Sequence, residues 1–481
     1  MNSLLHTVLL KAKWLFLVIF LCGYALTFDQ FDQRQAEYFF LNFAACSSCL
    51  LLLAQINIFN RAHSAAWVAL TLLLMGYFVR FYWIAIDPMP VERMLPWNPF
   101  RTMIVDRDAL FLSFKLSVAA FIAFNISALA LVFYFGRIDL QSVRLPESKT
   151  GVLTVRSGVW LLAVLFLMAL LAFVTYTYRI GEMGADSGTP LPFRLKGIVF
   201  YARTVCVPIF ILMCIQISER QGDVVLSRAG MLVLLMHGVS DMLLRNSRSA
   251  LLLSLLLLAF LVLSDGARLR RKEKVIFGLM AMAALVLVPV MTDYRQVRLL
   301  QNLSHVDALV SALNNSSGRW ISQFFAGFKF VMFRMPGLES LWCELALGAK
   351  PLGLASIDVL RSKDGIAGYL TYVIHPMKES NNTLLAPGFV GWLYIVGGLP
   401  SIVAGSVFAA VMSVAGWRYL DVRYLRTGPV AQVFLLWILF VALTEGTLDS
   451  MNFMIVVGVL TLSSMEFFLR RSGARQSRGS P

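Results

Sequence analysis

The residues with the most chemical meaning are arginines at short spacing. The run DMLLRNSRSALL, 241–252, holds Asp241, Arg245 and Arg248. At i,i+4 and i,i+3 these three share one face of a helix. Ser247 and Ser249 add hydroxyl donors where an aliphatic helix begins. Guanidinium is the preferred group for planar, multi-donor phosphate recognition, and a helix start offers unpaired N–H groups as well. A second pair, Arg295 and Arg298, stands in TDYRQVR, 292–298, with Asp293 and Tyr294 beside it. Two arginine pairs at one membrane level suit a diphosphate. The plain alternative for either pair is an interfacial anchor.

A third cluster opens HPMKESNNTLLAPGFVGWLYIVGGLPSIVAG, 375–405. His375 is a base candidate at neutral pH, and Asn381 and Asn382 suit sugar hydroxyls. A lone loop histidine is more often a surface residue. Gly391, Gly397, Gly398 and Gly405 would allow close helix approach. Asp29 with Asp32, and Asp106 with Asp108 in a DxD spacing, could bind a metal but read equally well as solvated helix ends. Walker A, HExxH, CxxCH and nucleophile-elbow motifs are absent from the chain.

The elements that must position these groups follow from composition. The 481 residues are 58% hydrophobic and 14% charged, with a mean hydropathy of +0.73. Soluble domains carry about 25% charged residues, so a soluble enzyme is excluded. The net charge of +15 reads as membrane orientation, with no nucleic-acid partner. Cys22, Cys46, Cys49, Cys206 and Cys214 lie in apolar stretches and Cys343 in a polar region, which gives no disulfide framework or zinc spacing.

A membrane-crossing helix needs about 20 apolar residues. Twelve runs qualify: 9–28, 36–59, 65–86, 109–135, 158–178, 197–217, 224–241, 249–264, 274–292, 387–416, 430–448 and 451–469. The cluster RLRRKEK, 268–274, fixes the connection after the eighth run inside, which puts both termini in the cytoplasm. Residues 1–292 then form nine spans, 293–386 one large outer loop, 387–469 three spans, and 470–481 a disordered basic tail. Within the loop, 318–334 reads as an interfacial helix and LESLWCELAL as a short amphipathic one. Arg80, Lys115, Arg203, Asp241 and Glu445 sit near outer span ends, where snorkelling competes with a polar cavity as the explanation.

The Arg-Ser-Arg segment opening an aliphatic helix and the Asn-Asn…Pro-Gly…Gly-Trp-Leu-Tyr…Gly-Gly run resemble the O-antigen polymerase (Wzy-type) family of oligosaccharide repeat-unit polymerases, relatives of the O-antigen ligases. The local resemblance covers 241–252 and 375–405, and the topology agrees throughout. It implies an all-α, GT-C-like polytopic membrane protein with a large helical periplasmic loop. It further implies a metal-independent, cofactor-free glycosyltransferase of the bacterial inner membrane. Such an enzyme moves an undecaprenyl-diphosphate-linked oligosaccharide to the non-reducing end of a lipid-linked acceptor. A chain-length-determining protein and a flippase are the partners it would bring.

On that basis Arg245, Arg248, Arg295 and Arg298 hold the diphosphate. His375, Glu379 or Asp293 takes the hydroxyl proton, and Tyr294, Asn381 and Asn382 contact sugar. Pro376 after His375 departs from the ligase pattern. A lipid-linked oligosaccharide flippase, an O-antigen ligase and a structural subunit of an envelope-glycan complex are the competing readings. An alternating-access site should lie nearer the midplane than these arginines do.

Overall fold

Backbone in hydrocarbon has no water to satisfy its N–H and C=O groups, so it must bond to itself. The long apolar runs are accordingly helical. The computed structural model describes residues 2–56, 61–87, 106–137, 157–181, 195–245, 247, 250–264, 266–300, 304–316, 318–334, 337–362, 365–374, 387–446 and 451–477.

In chain order the helices begin with α1 (Asn2–Thr27), α2 (Gln35–Gln55), α3 (Ser64–Ile86) and α4 (Arg107–Arg137). Next come α5 (Ser157–Tyr178), α6 (Leu195–Gln221), α7 (Val224–Leu244), α8 (Ala250–Leu263) and α9 (Arg271–Leu300). Five shorter helices follow: α10 (His305–Ser316), α11 (Trp320–Arg334), α12 (Leu338–Ala346), α13 (Ser356–Arg361) and α14 (Gly365–Ile374). The chain closes with α15 (Phe389–Arg423), α16 (Gly428–Glu445) and α17 (Met451–Ser477).

Among the described residues, ten helical stretches are long and apolar enough to cross a membrane. The protein is an all-α, multi-pass membrane protein. The first stretch, Lys13–Gln55, is not one rod. In a continuous helix residues 20 and 42 would lie about 33 Å apart, yet the Asn42 amide donates to the Phe20 carbonyl at 3.3 Å. The chain folds back through Phe28–Arg34, where Phe31 leaves helical geometry. At 14 residues α8 is about 21 Å long, shorter than a hydrocarbon core.

The chain forms two compact units. The first comprises Met1–Ser142, Met335–Tyr419 and Leu436–Met451. At its centre α4 packs against α2, α12 and α15. Phe114 and Phe121 lie two turns apart on α4 and meet α3: Phe114 stacks on Phe81 at 4.1 Å, and Phe121 tilts onto Phe78 at 4.7 Å. Apolar burial gives no drive between helices in lipid, so ring packing and polar clasps hold them. One such clasp is the buried Asn125 amide donating to Ser48 at 3.0 Å. In α15, Gly397 and Gly398 leave helical geometry just before Pro400, and Gly398 has φ +67°, which favours glycine. The break releases the Ile395 carbonyl, and the Leu352 N–H takes it at 2.8 Å.

The second unit comprises Val143–Arg334, Leu420–Leu435 and Asn452–Pro481. Here α7 packs against α5, α6 and α8, and α9 against α10 and α11. Near the start of α7, Arg228 bonds Glu219 at 2.5 Å and Glu273 at 2.7 Å.

Several expectations change. The ninth apolar run does not end at 292, because α9 continues to Leu300. The segment 293–386 is not one body: α10 and α11 belong to the second unit, α12 to α14 to the first. The helix expected at 318–334 forms as α11. It packs along the apolar part of α9, where a Cβ on Gly327 would overlap the Leu285 carbonyl. The short amphipathic helix expected at LESLWCELAL forms as α12, and it buries Glu339 and Glu344 together with Leu341, Trp342 and Cys343. Helix α17 runs through Ser477, so most of the tail expected to be disordered is helical, begun by the Glu466–Arg470 pair at 2.8 Å. Residues 478–481 lie outside the described residues.

Candidate functional site

The strongest site is built in the second unit from two helix ends. Helix α6 contains a π turn at Ala202–Cys206, just before Pro208. The wide turn re-aims Arg203 toward α7, and such turns recur at functional sites. Arg203 is only 2% exposed. Its Nε bonds Asp241 in a short ion pair, and its Nη2 donates to Ser240 at 2.9 Å. Arg245, one turn past Asp241 as the i,i+4 spacing foretold, bonds the other carboxylate oxygen at 2.9 Å. The Arg245 guanidinium also lies 4.6 Å over the Phe200 ring. One carboxylate therefore serves two arginines, leaving a net charge of +1 at a nearly dry position. Arg203 Nη1, Arg245 Nε and His237 Nδ1 are buried polar atoms with no hydrogen-bond partner among the described residues. Unsatisfied donors of this kind call for an explanation.

Beside this cluster lies an apolar cleft of about 690 Å³. Leu235, Met236, Leu243, Leu255 and Leu287 form much of its wall. Ser240, the acceptor of Arg203, is one of its few polar lining residues, along with Tyr176 and His305. A cation cluster beside a greasy groove can hold an anion that carries an apolar tail.

The expected site residues divide as follows. Arg245 sits in the cluster, while Arg248 lies outside the described residues. Arg295 and Arg298 are half-buried, one turn apart on α9, and Asp293 is half-buried beside them. Tyr294 is fully buried, and its hydroxyl reaches the Leu243 carbonyl at 3.3 Å and His305 Nδ1 at 2.5 Å. Because Leu243 lies between Asp241 and Arg245, this bond ties the TDYRQVR segment to the arginine-bearing end of α7. His375, Glu379, Asn381 and Asn382 lie outside the described residues. Sequence reasoning placed Arg203 among the outer-level charges that could form a polar cavity but not with the diphosphate-binding arginines, and it missed His305. Arg203 had a signal, its place at the same outer level as Asp241. His305 had none.

The first unit holds a different charged cluster. Arg80, 3% exposed and just after a π turn at Leu74–Val79, pairs with Glu339 of α12. One turn further along α12, Glu344 is wholly buried, and neither of its oxygens has a partner among the described residues. It presses on Gly391, where an added Cβ would come within 2.8 Å of a carboxyl oxygen. Burial pushes this carboxyl well above the ordinary range, which favours its protonated form. Burial likewise raises the Cys343 thiol. Two of the aspartates open to a metal reading have local tasks. Asp106 caps α4 by accepting from the Ala109 N–H at 2.8 Å, and Asp108 pairs with Arg34 at 3.1 Å. No group of three or more His, Cys, Asp or Glu suited to a metal occurs among the described residues.

No protein-family model, curated protein or solved structure matches the chain.

Proposed function

We propose that the protein polymerises undecaprenyl-diphosphate-linked oligosaccharide repeat units at the periplasmic face of the bacterial inner membrane. In this reading it has twelve spans, with α8 as the shortest, and both termini are cytoplasmic. The observation that supports it is the Arg203–Asp241–Arg245 cluster beside an apolar cleft. A lipid diphosphate has the matching chemistry, with an anion at the headgroup and a tail that leaves sideways. Since the cluster carries only one net positive charge, a diphosphate needs further cations, and Arg248, Arg295 and Arg298 supply them.

The reaction is glycosyl transfer without a metal. As the bond to the anomeric carbon breaks, negative charge grows on the departing diphosphate. Fixed guanidinium groups stabilise it without having to reorganise, and they cannot lose their protons. Asn381 and Asn382 orient the acceptor sugar. The chain-length-determining protein and the flippase are partners of this reading.

The deciding experiment gives purified protein a labelled lipid-linked repeat unit in liposomes. Longer lipid-linked products support a polymerase. Transfer only onto a lipid A-core acceptor means a ligase. Movement across the bilayer without new glycosidic bonds means a flippase.

A further inference from the structure

His305 opens α10 and lines the cleft together with Ser240 and Tyr176. Its ring neighbours two others, with centroids 5.8 Å from Tyr176 and 6.3 Å from Tyr294. The Tyr294 oxygen stands 2.5 Å from His305 Nδ1 and 3.3 Å from the Leu243 carbonyl. A carbonyl can only accept. The two contacts are satisfied together when the tyrosine O–H donates to Leu243 and Nδ1–H donates to the tyrosine. A neutral imidazole has a single N–H, so Nε2 then carries the lone pair. The backbone of α7, through Tyr294, thus sets the tautomer of a histidine on the cleft wall. Orientation of a base by a third group is the logic of catalytic triads.

The same short stretch of α7 supplies Ser240, which accepts from Arg203, and Asp241, which binds both arginines. Asp241 is a poor base because each of its oxygens already accepts a guanidinium N–H. His305 is the cleft-lining group with base chemistry close to the cation cluster.

Resting on the polymerase reading, we propose that His305 takes the proton of the acceptor hydroxyl and that Tyr294 is its positioning residue. The acceptor oxygen forms a bond to the anomeric carbon of the donor sugar. The bond from that carbon to the diphosphate oxygen breaks, and its electron pair stays on the diphosphate beside the arginines. The hydroxyl proton moves to Nε2 and afterwards passes to solvent. No oxidant, reductant or metal enters the balance. Tyr294, fully buried, stands behind the site instead of touching sugar.

The test is polymerisation kinetics of the purified full chain with a lipid-linked repeat unit across a range of pH. His305→Asn places an amide N–H near the Nδ1 position, so it keeps the bond to Tyr294 and loses the base. The variant should insert and purify normally, lose about 100-fold in kcat, keep its KM, and lose the limb in which the wild-type rate rises with pH through the imidazole range. Tyr294→Phe should displace that limb with a smaller fall in kcat. If wild type makes polymer and His305→Asn keeps both rate and limb, the base assignment is overturned while the polymerase reading stands. If Asp293→Asn abolishes the limb and His305→Asn does not, the base is Asp293. If wild type forms no glycosidic bond with any lipid-linked acceptor, the polymerase reading itself is refuted and the base assignment falls with it.

Discussion

Arg80 and Arg203 occupy nearly the same local setting. Each sits in or just after a π turn of a membrane helix, each is almost wholly buried, and each meets an acid from another element. The surroundings differ. Around Arg80 the backbone closes tightly: Gly337 lies on the Gly76 carbonyl, Gly388 on Gly337, and Gly446 on Gly388. Trp342 donates to the Asp106 carbonyl at 3.0 Å, and the Val390 N–H donates to the Tyr77 hydroxyl at 2.9 Å. One acid there answers one arginine. Around Arg203 two arginines share one acid, and a cleft runs alongside. Burial of a charge therefore does not mark a site. Surplus charge beside a cleft is the stronger pointer. The first arrangement is a staple that fastens α12 to α3, and the second is a cluster with one positive charge in excess beside a cleft.

The largest expected effect breaks the open cluster. Arg245→Ala should cut polymer formation by about 100-fold or more while the protein still inserts, and Arg245→Lys should recover only part, since ammonium lacks the planar fork. Normal polymer from Arg245→Ala, measured by gel analysis of lipid-linked products, would end the assignment of the cluster to the diphosphate.

The staple behaves otherwise. Arg80→Ala leaves the Glu339 carboxylate buried and alone, which costs about 3–5 kcal/mol. Its thermal midpoint in detergent should fall sharply. Arg80→Met combined with Glu339→Leu should restore most of that stability, and with it activity. The corresponding double change, Arg203→Met with Asp241→Leu, should restore folding and no activity. If both double variants polymerise equally, the contrast between the two regions is wrong.

A smaller effect is set by Glu344. The folded carboxyl keeps its proton to higher pH than a solvated one. Between the ordinary carboxyl pKa and the raised value the folded state binds more protons than the unfolded chain, so stability falls as pH rises through that window. Glu344→Gln should flatten this slope and be the more stable form at the alkaline end. Parallel melting curves of wild type and variant across pH would show the carboxyl is not the cause.

The smallest expected effect is that of chelation. EDTA should leave the polymerisation rate of purified protein unchanged. Full loss, reversed by one divalent metal, would return Asp29, Asp32, Asp106 and Asp108 to candidacy.

What could be read from the chain was local. Run length and apolarity dictate all-α membrane helices, because hydrocarbon demands internal backbone bonding over about 30 Å. The Asp241–Arg245 pair is legible from helical spacing alone, since i and i+4 share a face whatever surrounds them. The glycine cluster before Pro400 likewise announces a place where other chain comes close, and there Leu352 bonds the carbonyl freed by the break. The candidate site was half legible: its arginine motifs and the level of Arg203 stood out, while the bond from Arg203 to Asp241, His305 and the supporting role of Tyr294 did not. Arg203 meets Asp241 across 38 residues and His305 meets Tyr294 across a helix end. Glu339 reaches Arg80 from a helix that follows the other unit in the chain. Such pairings depend on how helices rotate and cross. That is decided by ring packing, glycine contacts and π turns acting together, and no local spacing in the sequence encodes it.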